Sequence, residues 1–183
     1  MKYRLSEIAS LTGGRLCGED LLTTGVVTDS RSCTFDYGAL FVAMRGERHD
    51  SHAFLRAMYD RGVRAFMVER EEEAAPLEGA GYVAVDRAID ALQRWAAEHR
   101  KRFRGKVVGI TGSNGKTVVK EWLAASLPDG VKTFRSPRSF NSQLGVPLSI
   151  LLAEGDEQVV ILEAGISECG EMERLERMIR PTS

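Results

Sequence analysis

The chain has 183 residues, 43% of them hydrophobic and 28% charged, with 25 Lys and Arg against 26 Asp and Glu. A net charge of −1 supplies no global field toward nucleic acid or an anionic membrane, so neither is expected as a partner, and an anionic ligand has to be held by a local site. Cys17, Cys33 and Cys169 are odd in number, widely spaced and without a Cys-x-x-Cys pair, which argues against a disulfide framework or zinc site and fits a reducing cytoplasm.

No apolar run stands behind the basic residues of Met1-Lys-Tyr-Arg-Leu-Ser-Glu7, and no apolar stretch has the length of a membrane span, so neither export nor anchoring is expected. Ser6 is placed to cap a short helix, Glu7 to Leu11, stopped by Gly13-Gly14. Gly25 to Thr28 and Ala39 to Met44 read as strands, the second an almost continuous apolar run of the kind found in sheets covered on both faces. Between Ser51 and Gly62, Phe54, Leu55, Met58 and Tyr59 form one helical stripe. Val63 to Val68 returns to strand, Glu69 to Glu73 reads as a charged surface loop, and Tyr82 to Val85 is a further short strand. His49 and His52 are spaced i, i+3, but without a third ligand nearby a hydrogen-bonding role is favoured over a metal. Asp86 is placed to cap a long helix in which Ile89, Leu92, Ala96 and Phe103 recur at helical spacing. His99, at the edge of that stripe, reads as structural. The basic cluster Arg100-Lys-Arg-Phe-Arg104 meets the negative end of the helix dipole and needs no nucleic acid to explain it. A domain boundary is expected here, giving 1–104 and 105–183.

The second part opens on Val107-Val-Gly-Ile-Thr-Gly-Ser-Asn-Gly-Lys-Thr117, a buried strand running into a glycine loop. Gly112 and Gly115 let the backbone turn with φ > 0 and bring N–H groups, and the positive end of the next helix, against phosphate oxygens. Lys116 would neutralise the outer phosphates and Thr117 Oγ would ligate Mg²⁺. The general loop, Gly-x-x-x-x-Gly-Lys-Ser/Thr, needs a glycine where this chain has Ile110. Ser, Asn and Gly are also ordinary turn residues, but the strand before and Lys-Thr opening a helix after supply the context that phosphate binding requires. That helix carries Val118, Val119, Trp122, Leu123 and Leu127. A strand at Val131 to Phe134, a loop to Gln143, a helix near Leu144 to Leu152 and a strand at Gln158 to Leu162 follow. After Gly170 a helix places Met172, Leu175 and Ile179 on one face and stops at Pro181. Strands alternating with helices indicate a doubly wound parallel sheet. Glu163 closes the 158–162 strand at the sheet edge where ligands bind. A carboxylate, a threonine hydroxyl and phosphate oxygens form the hard-oxygen set that Mg²⁺ prefers, the alternative being a solvated glutamate at a strand end.

Thr111 to Thr117, Asn141-Ser-Gln-Leu-Gly-Val-Pro-Leu148, Leu162-Glu-Ala-Gly165 and Gly170-Glu-Met172 resemble the central ATPase domain of the Mur ligases, a family that uses the shortened glycine loop seen here. Thr28-Asp-Ser-Arg31, Leu40 to Arg48 and Asp50-Ser-His-Ala-Phe54 resemble the family's uridine-nucleotide-binding N-terminal domain. Where the family often has glycine and a second acidic residue after the aspartate, this chain has Ser51 and Ala53. The Gly46-Glu-Arg48 and Gly145-Val-Pro147 versions are most similar to the member that adds D-alanyl-D-alanine to UDP-N-acetylmuramoyl-tripeptide in making the bacterial cell wall.

The resemblance implies an α/β chain: an N-terminal uridine-nucleotide-binding α/β domain, 1–104, then a truncated P-loop-type doubly wound parallel-sheet domain, 105–183. It implies that Gly112, Ser113, Asn114, Gly115, Lys116 and Thr117 bind ATP with Asn141 beside it. Lys116 and Glu163 would be catalytic, and Thr117 and Glu163 would hold Mg²⁺. Ser30, Arg31, Arg45, Gly46, Glu47 and Arg48 would lie near the uracil and diphosphate. The implied reaction forms an acyl phosphate on the tripeptide, which the amine of D-alanyl-D-alanine attacks. Because another strand should begin at Arg180 to Ser183, the chain reads as the N-terminal piece of a longer ligase, inactive alone; in some bacteria such a ligase is fused to alanine racemase. Competing readings are a sibling ligase adding the third peptide residue and a non-catalytic UDP-sugar-binding module, the latter opposed by intact Lys116, Thr117 and Glu163. A folate-type relative lacks the 28–54 motifs, and a motor-type NTPase would need an apolar run ending in aspartate.

Overall fold

The computed structural model describes residues 1–31, 38–46, 50–69, 71, 77–166, 168 and 170–182. They form two compact units, Met1–Ala91 and Leu92–Ser183. In the first unit the strands are β1 (Tyr3–Arg4), β2 (Arg15–Gly18), β3 (Leu22–Thr23), β4 (Gly25–Val27), β5 (Ala39–Val42), β6 (Ala65–Val68) and β7 (Gly81–Ala84). β1 and β3 make an antiparallel ribbon, and the others form a sheet in the order β2-β7-β6-β5-β4, parallel except for β2. Every residue of β5 and β6 is buried, which is what their unbroken apolar sequences require of strands covered on both faces. On one face Phe41, Phe66, Val68 and Tyr82 pack with Leu55, Met58 and Leu77, each large side chain contributing about 1.5–3 kcal/mol by leaving water.

Three local expectations in this unit are corrected by the structure. The first helix spans Leu5–Thr12, beginning before Ser6. Ser6 is not its cap: its N–H and hydroxyl donate to the Asp20 carboxylate, both at 2.9 Å, so a carboxylate from a following loop serves the first turn. Ser51–Phe54 is a 3₁₀ turn leading into the helix Leu55–Asp60. Three residues per turn, rather than 3.6, rotate Phe54 out of the stripe; it is 44% exposed while Leu55 and Met58 are buried. At the start of the helix Ala88–Arg100, the N–H of Ala88 is taken at 2.7 Å by the carboxylate of Glu69, from the residue after β6, and not by Asp86.

The two units part within this helix, a division that differs from 104/105 by the helix's C-terminal half and the turn after it. That half is tied to the second unit. His99 Nε2 donates to the Ala153 carbonyl at 2.8 Å, and the Arg100 guanidinium donates to the carbonyls of Ile179 and Arg180 at 2.6 and 2.7 Å. Arg100 thereby serves the C-terminal carbonyls of another helix, and Phe103 lies beyond the helix end, edge-on to His99 with ring centroids 5.5 Å apart. Burial holds the His99 pKa below its ordinary value, with the Ala153 bond opposing the shift. A depressed pKa means that the unfolded chain binds the proton more readily, so the stability His99 contributes is present above about 6.5 and lost as the pH falls through the folded value. Denaturant unfolding of the wild type is expected to weaken from pH 7 to pH 5, and His99→Gln to flatten that dependence; an unchanged slope in the variant would refute it.

The second unit contains β8 (Lys106–Ile110), β9 (Thr133–Arg135) and β10 (Val159–Glu163), all parallel, with β10 between the other two. Helices Lys116–Ser126, Gly145–Leu152 and Glu171–Ile179 accompany them. The crossover from β8 to β9 skips one position, which β10 fills, so the loops at the C-terminal ends of β8 and β10 are neighbours. The register sets Glu163 opposite Ile110.

The helix Lys116–Ser126 is turned differently from its apolar pattern. Val118, Val119 and Trp122 are 50%, 49% and 72% exposed, whereas Lys120 is fully buried. The polar ties of Thr117 and Lys120, three apart and on one face of the helix, point that face at the sheet edge.

Candidate active site

The loop leaving β8 has Gly112 at φ 142° and Gly115 at φ 76°, conformations that only glycine adopts without strain. Gly115 is also the residue that opens the helix, and no side chain caps it. Its first amides, with the positive end of the dipole, are therefore free to face an anion. Lys116 Nζ folds back across the loop and donates to the Gly112 carbonyl at 2.7 Å.

Glu163 is the centre of the polar network, with 1% of its surface exposed. Its carboxylate accepts from Thr117 Oγ1, 3.0 Å from both oxygens, and from Asn141 Nδ2 at 2.9 Å. Lys120 Nζ lies 3.4 Å away, and the Glu163 N–H donates to Ser136 Oγ at 3.1 Å. Asn141 is held in turn by the Gly165 N–H, which donates to its carbonyl at 2.7 Å. A Cβ at Gly165 would come within 3.2–3.3 Å of Asn141 atoms, so glycine there allows the close approach. Ser113, Asn114, Gly115, Lys116 and Thr117 line a cavity of about 260 Å³ with Asn141 and Glu163. A second cavity of about 270 Å³ shares Lys116 and Asn141 with the first and adds Gln143, Ile166 and Glu171.

Thr117 Oγ1 and the Glu163 carboxylate converge as a hard-oxygen pair. No group of three or more His, Cys, Asp or Glu that could hold a metal occurs among the described residues. A cation here would take few protein ligands and complete its shell with water and phosphate, which is the habit of Mg²⁺. The donor set fits that ion. Lys120 is the member that sequence reasoning missed. Its only signal was a lysine one turn after Lys116 and Thr117, on the same face of the helix.

In the first unit, Arg45 and Gly46 line a cavity of about 640 Å³ with Thr28, Met44, Ser51, Glu69, Asp86 and Arg87. Ser51 Oγ accepts the Met44 N–H at 2.7 Å and donates to its carbonyl at 2.9 Å, fixing the strand exit. His52 is buried. Its Nδ1 lies 2.6 Å from Asp50 Oδ1, and its Nε2 accepts the Glu69 N–H at 3.0 Å. That is the hydrogen-bonding role favoured by its sequence context. Glu69 also receives the Arg45 N–H at 3.3 Å, so one carboxylate joins the exit of β5 to the helix that starts at Ala88.

Ser30 and Arg31 are not among the residues lining this cavity; Glu47, Arg48 and His49 lie outside the described residues. The Ser30 carbonyl accepts from Arg61 at 2.6 Å. The Arg31 guanidinium forks onto Asp29, 3.0 Å from Oδ1 and 2.9 Å from Oδ2, and holds its carboxyl down to about 2. A depressed carboxyl favours the folded form above its ordinary value, and this contribution is lost as the pH falls through about 2. In Arg31→Ala, the Asp29 carboxyl is expected by NMR to rise only part of the way toward its ordinary value, because the N–H of residue 31 still donates to Oδ1; an unmoved midpoint would show that the guanidinium does not set it.

Residues 110–183 match the Mur ligase middle domain. The UDP-N-acetylmuramoyl-tripeptide--D-alanyl-D-alanine ligase of Bacillus subtilis is 32% identical, the match covering 99% of this chain and 40% of that protein. The ligase of the same name from Escherichia coli is 32% identical over 97% of this chain and 38% of its own length. Among solved structures, MurF from Acinetobacter baumannii superposes with a TM-score of 0.87 at 27% identity, covering 99% of this chain and 40% of that one. MurF ligase from Thermotoga maritima in complex with ADP gives a TM-score of 0.71 at 33% identity, covering 85% and 35%. The chain thus spans about two-fifths of the length of the curated relatives it matches. With the glycine loop opening onto Glu163 and these likenesses running through both units, the chain belongs to the Mur ligase family.

Proposed function

We propose that this chain supplies the nucleotide-binding and sugar-nucleotide-binding portion of an ATP-dependent amide ligase that joins D-alanyl-D-alanine to UDP-N-acetylmuramoyl-tripeptide in the cytoplasm. The observation that carries the reading is the loop 112–117, whose Lys116 and uncapped helix start stand beside the Thr117 and Glu163 pair. ATP is the phosphoryl donor, consistent with ADP in the Thermotoga maritima relative. The Gly115 to Thr117 amides and Lys116 hold the phosphates, and Thr117 and Glu163 hold Mg²⁺. When bound, that ion supplies positive charge to the phosphate oxygens.

A carboxylate is a poor acylating agent at neutral pH. One oxygen of the tripeptide carboxylate attacks the γ-phosphorus and ADP leaves, giving an acyl phosphate. The dipeptide amine then attacks the acyl carbon and phosphate departs with the C–O bond electrons. Lys116 and Asn141, shared by both cavities, border the place where phosphate and carboxylate meet, and their task is positioning and charge neutralisation. The region 1–104 anchors the uridine diphosphate end through the cavity at Arg45 and Gly46, together with Ser30, Arg31, Glu47 and Arg48. Binding energy from that end serves to position the reacting carboxylate. None of the described helices is long and apolar enough to cross a membrane.

Isothermal titration of the chain separately with Mg·ADP and with UDP-N-acetylmuramoyl-tripeptide tests both halves. Each ligand is expected to bind and neither to displace the other. Absence of Mg·ADP binding at millimolar concentration would remove the ligase reading, and absence of UDP-ligand binding would remove the anchor.

A further inference from the structure

Lys120 is used by no step above, yet it has no exposed surface. Its ammonium donates to the carbonyls of Ser136 and Arg138 at 2.8 and 2.6 Å and faces the carboxylates of Glu163 at 3.4 Å and Glu121 at 3.5 Å. Desolvating an ammonium is costly unless partners compensate it, and a buried ion pair is weak evidence for stability. Packing alone would favour one of the helix's apolar residues at this position, but Val118, Val119 and Trp122 face outward instead.

What the ammonium holds is specific. Arg138 has φ 50°, a left-handed conformation that strains a non-glycine residue, and its carbonyl receives the shorter of the two Lys120 bonds. The turn so fixed leads to Asn141, whose amide donates to Glu163 Oε1. Lys120 itself stands beside Oε2. One charge therefore restrains Glu163 directly and restrains, through the 136–138 backbone, the segment leading to the side chain on its other oxygen.

We infer that Lys120 is the positioning residue of the metal site: its ammonium fixes the Glu163 carboxylate and the 136–141 turn, so that Glu163 is oriented before Mg²⁺ arrives. The inference rests on Glu163 being a Mg²⁺ ligand. Partners of this kind around a metal ligand are commonly worth about 10- to 100-fold in metal affinity.

The test compares ADP affinity with Mg²⁺ and in EDTA for the wild type, Lys120→Gln and Lys120→Arg, with circular dichroism to confirm folding. The wild type is expected to bind ADP more tightly with Mg²⁺. Lys120→Gln should lose about tenfold or more of that enhancement while its affinity in EDTA changes far less, and Lys120→Arg should recover part of it. A purely structural lysine would lower thermal stability and leave the enhancement intact; that result in folded Lys120→Gln overturns the inference alone. A wild type without Mg²⁺ enhancement overturns the metal reading and the inference with it. Should neither variant fold, the ammonium resonance of Lys120 in the wild type decides: it is expected to shift when Mg²⁺ is added to the ADP-saturated protein, and an unmoved resonance overturns the inference.

Discussion

Lys116→Ala is expected to weaken ADP and ATP binding by about 10- to 100-fold, the worth of a charge-assisted bond to phosphate of about 1.5–3 kcal/mol. In the full-length ligase proposed to contain this chain, acyl-phosphate formation should fall further, by about 10²–10³, because the lysine would there also meet the charge that moves onto the leaving oxygen. Folding should not suffer. Lys116 is partly exposed, and its bond to the Gly112 carbonyl is one that water can replace. Titration calorimetry and a thermal melt on the same sample separate the two effects. A variant with wild-type nucleotide affinity would show that the loop is not the phosphate site.

The second large effect is on stability. Phe66 lies on β6, in the middle of the five-stranded sheet, fully buried and packed with Phe41, Val68 and Tyr82. Phe66→Ala removes most of a ring and leaves a cavity that neighbouring strands, pinned by their backbone ladder, cannot close. A loss of about 3–5 kcal/mol is expected, a large part of the roughly 5–15 kcal/mol that holds a domain together. Phe66→Leu should cost much less, since volume and apolarity are mostly kept. Urea unfolding followed by a probe in residues 1–91 checks this, and a midpoint for Phe66→Ala within error of wild type would contradict the packing described.

The glycine loop was legible in the sequence because its geometry is local. Gly112 and Gly115 occupy the two positive-φ positions of the loop, Lys116 and Thr117 start the helix, and each property belongs to a residue or its neighbour. The unbroken apolar runs of β5 and β6 likewise announced strands covered on both faces, since burial follows from composition over a few residues. Helix rotation and capping were not legible, because they are decided by partners distant in sequence. Ser6 is claimed by Asp20, and Ala88 is served by Glu69.

The candidate site divides along the same line. Glu163 could be placed at a strand end from the sequence, but its meeting with Thr117 depends on β10 inserting between β8 and β9 in the register that sets it opposite Ile110. Resemblance to the family suggested a place for Asn141 beside the nucleotide; its contact with Glu163, through the side-chain amide, exists only once the turn after β9 is folded back. Lys120 had no place in the sequence reading, because a lysine in a helix is ordinarily a solvated one. Only the packed structure, which brings two backbone carbonyls and a buried carboxylate to its ammonium, compensates the desolvation that a charge in that position would otherwise suffer.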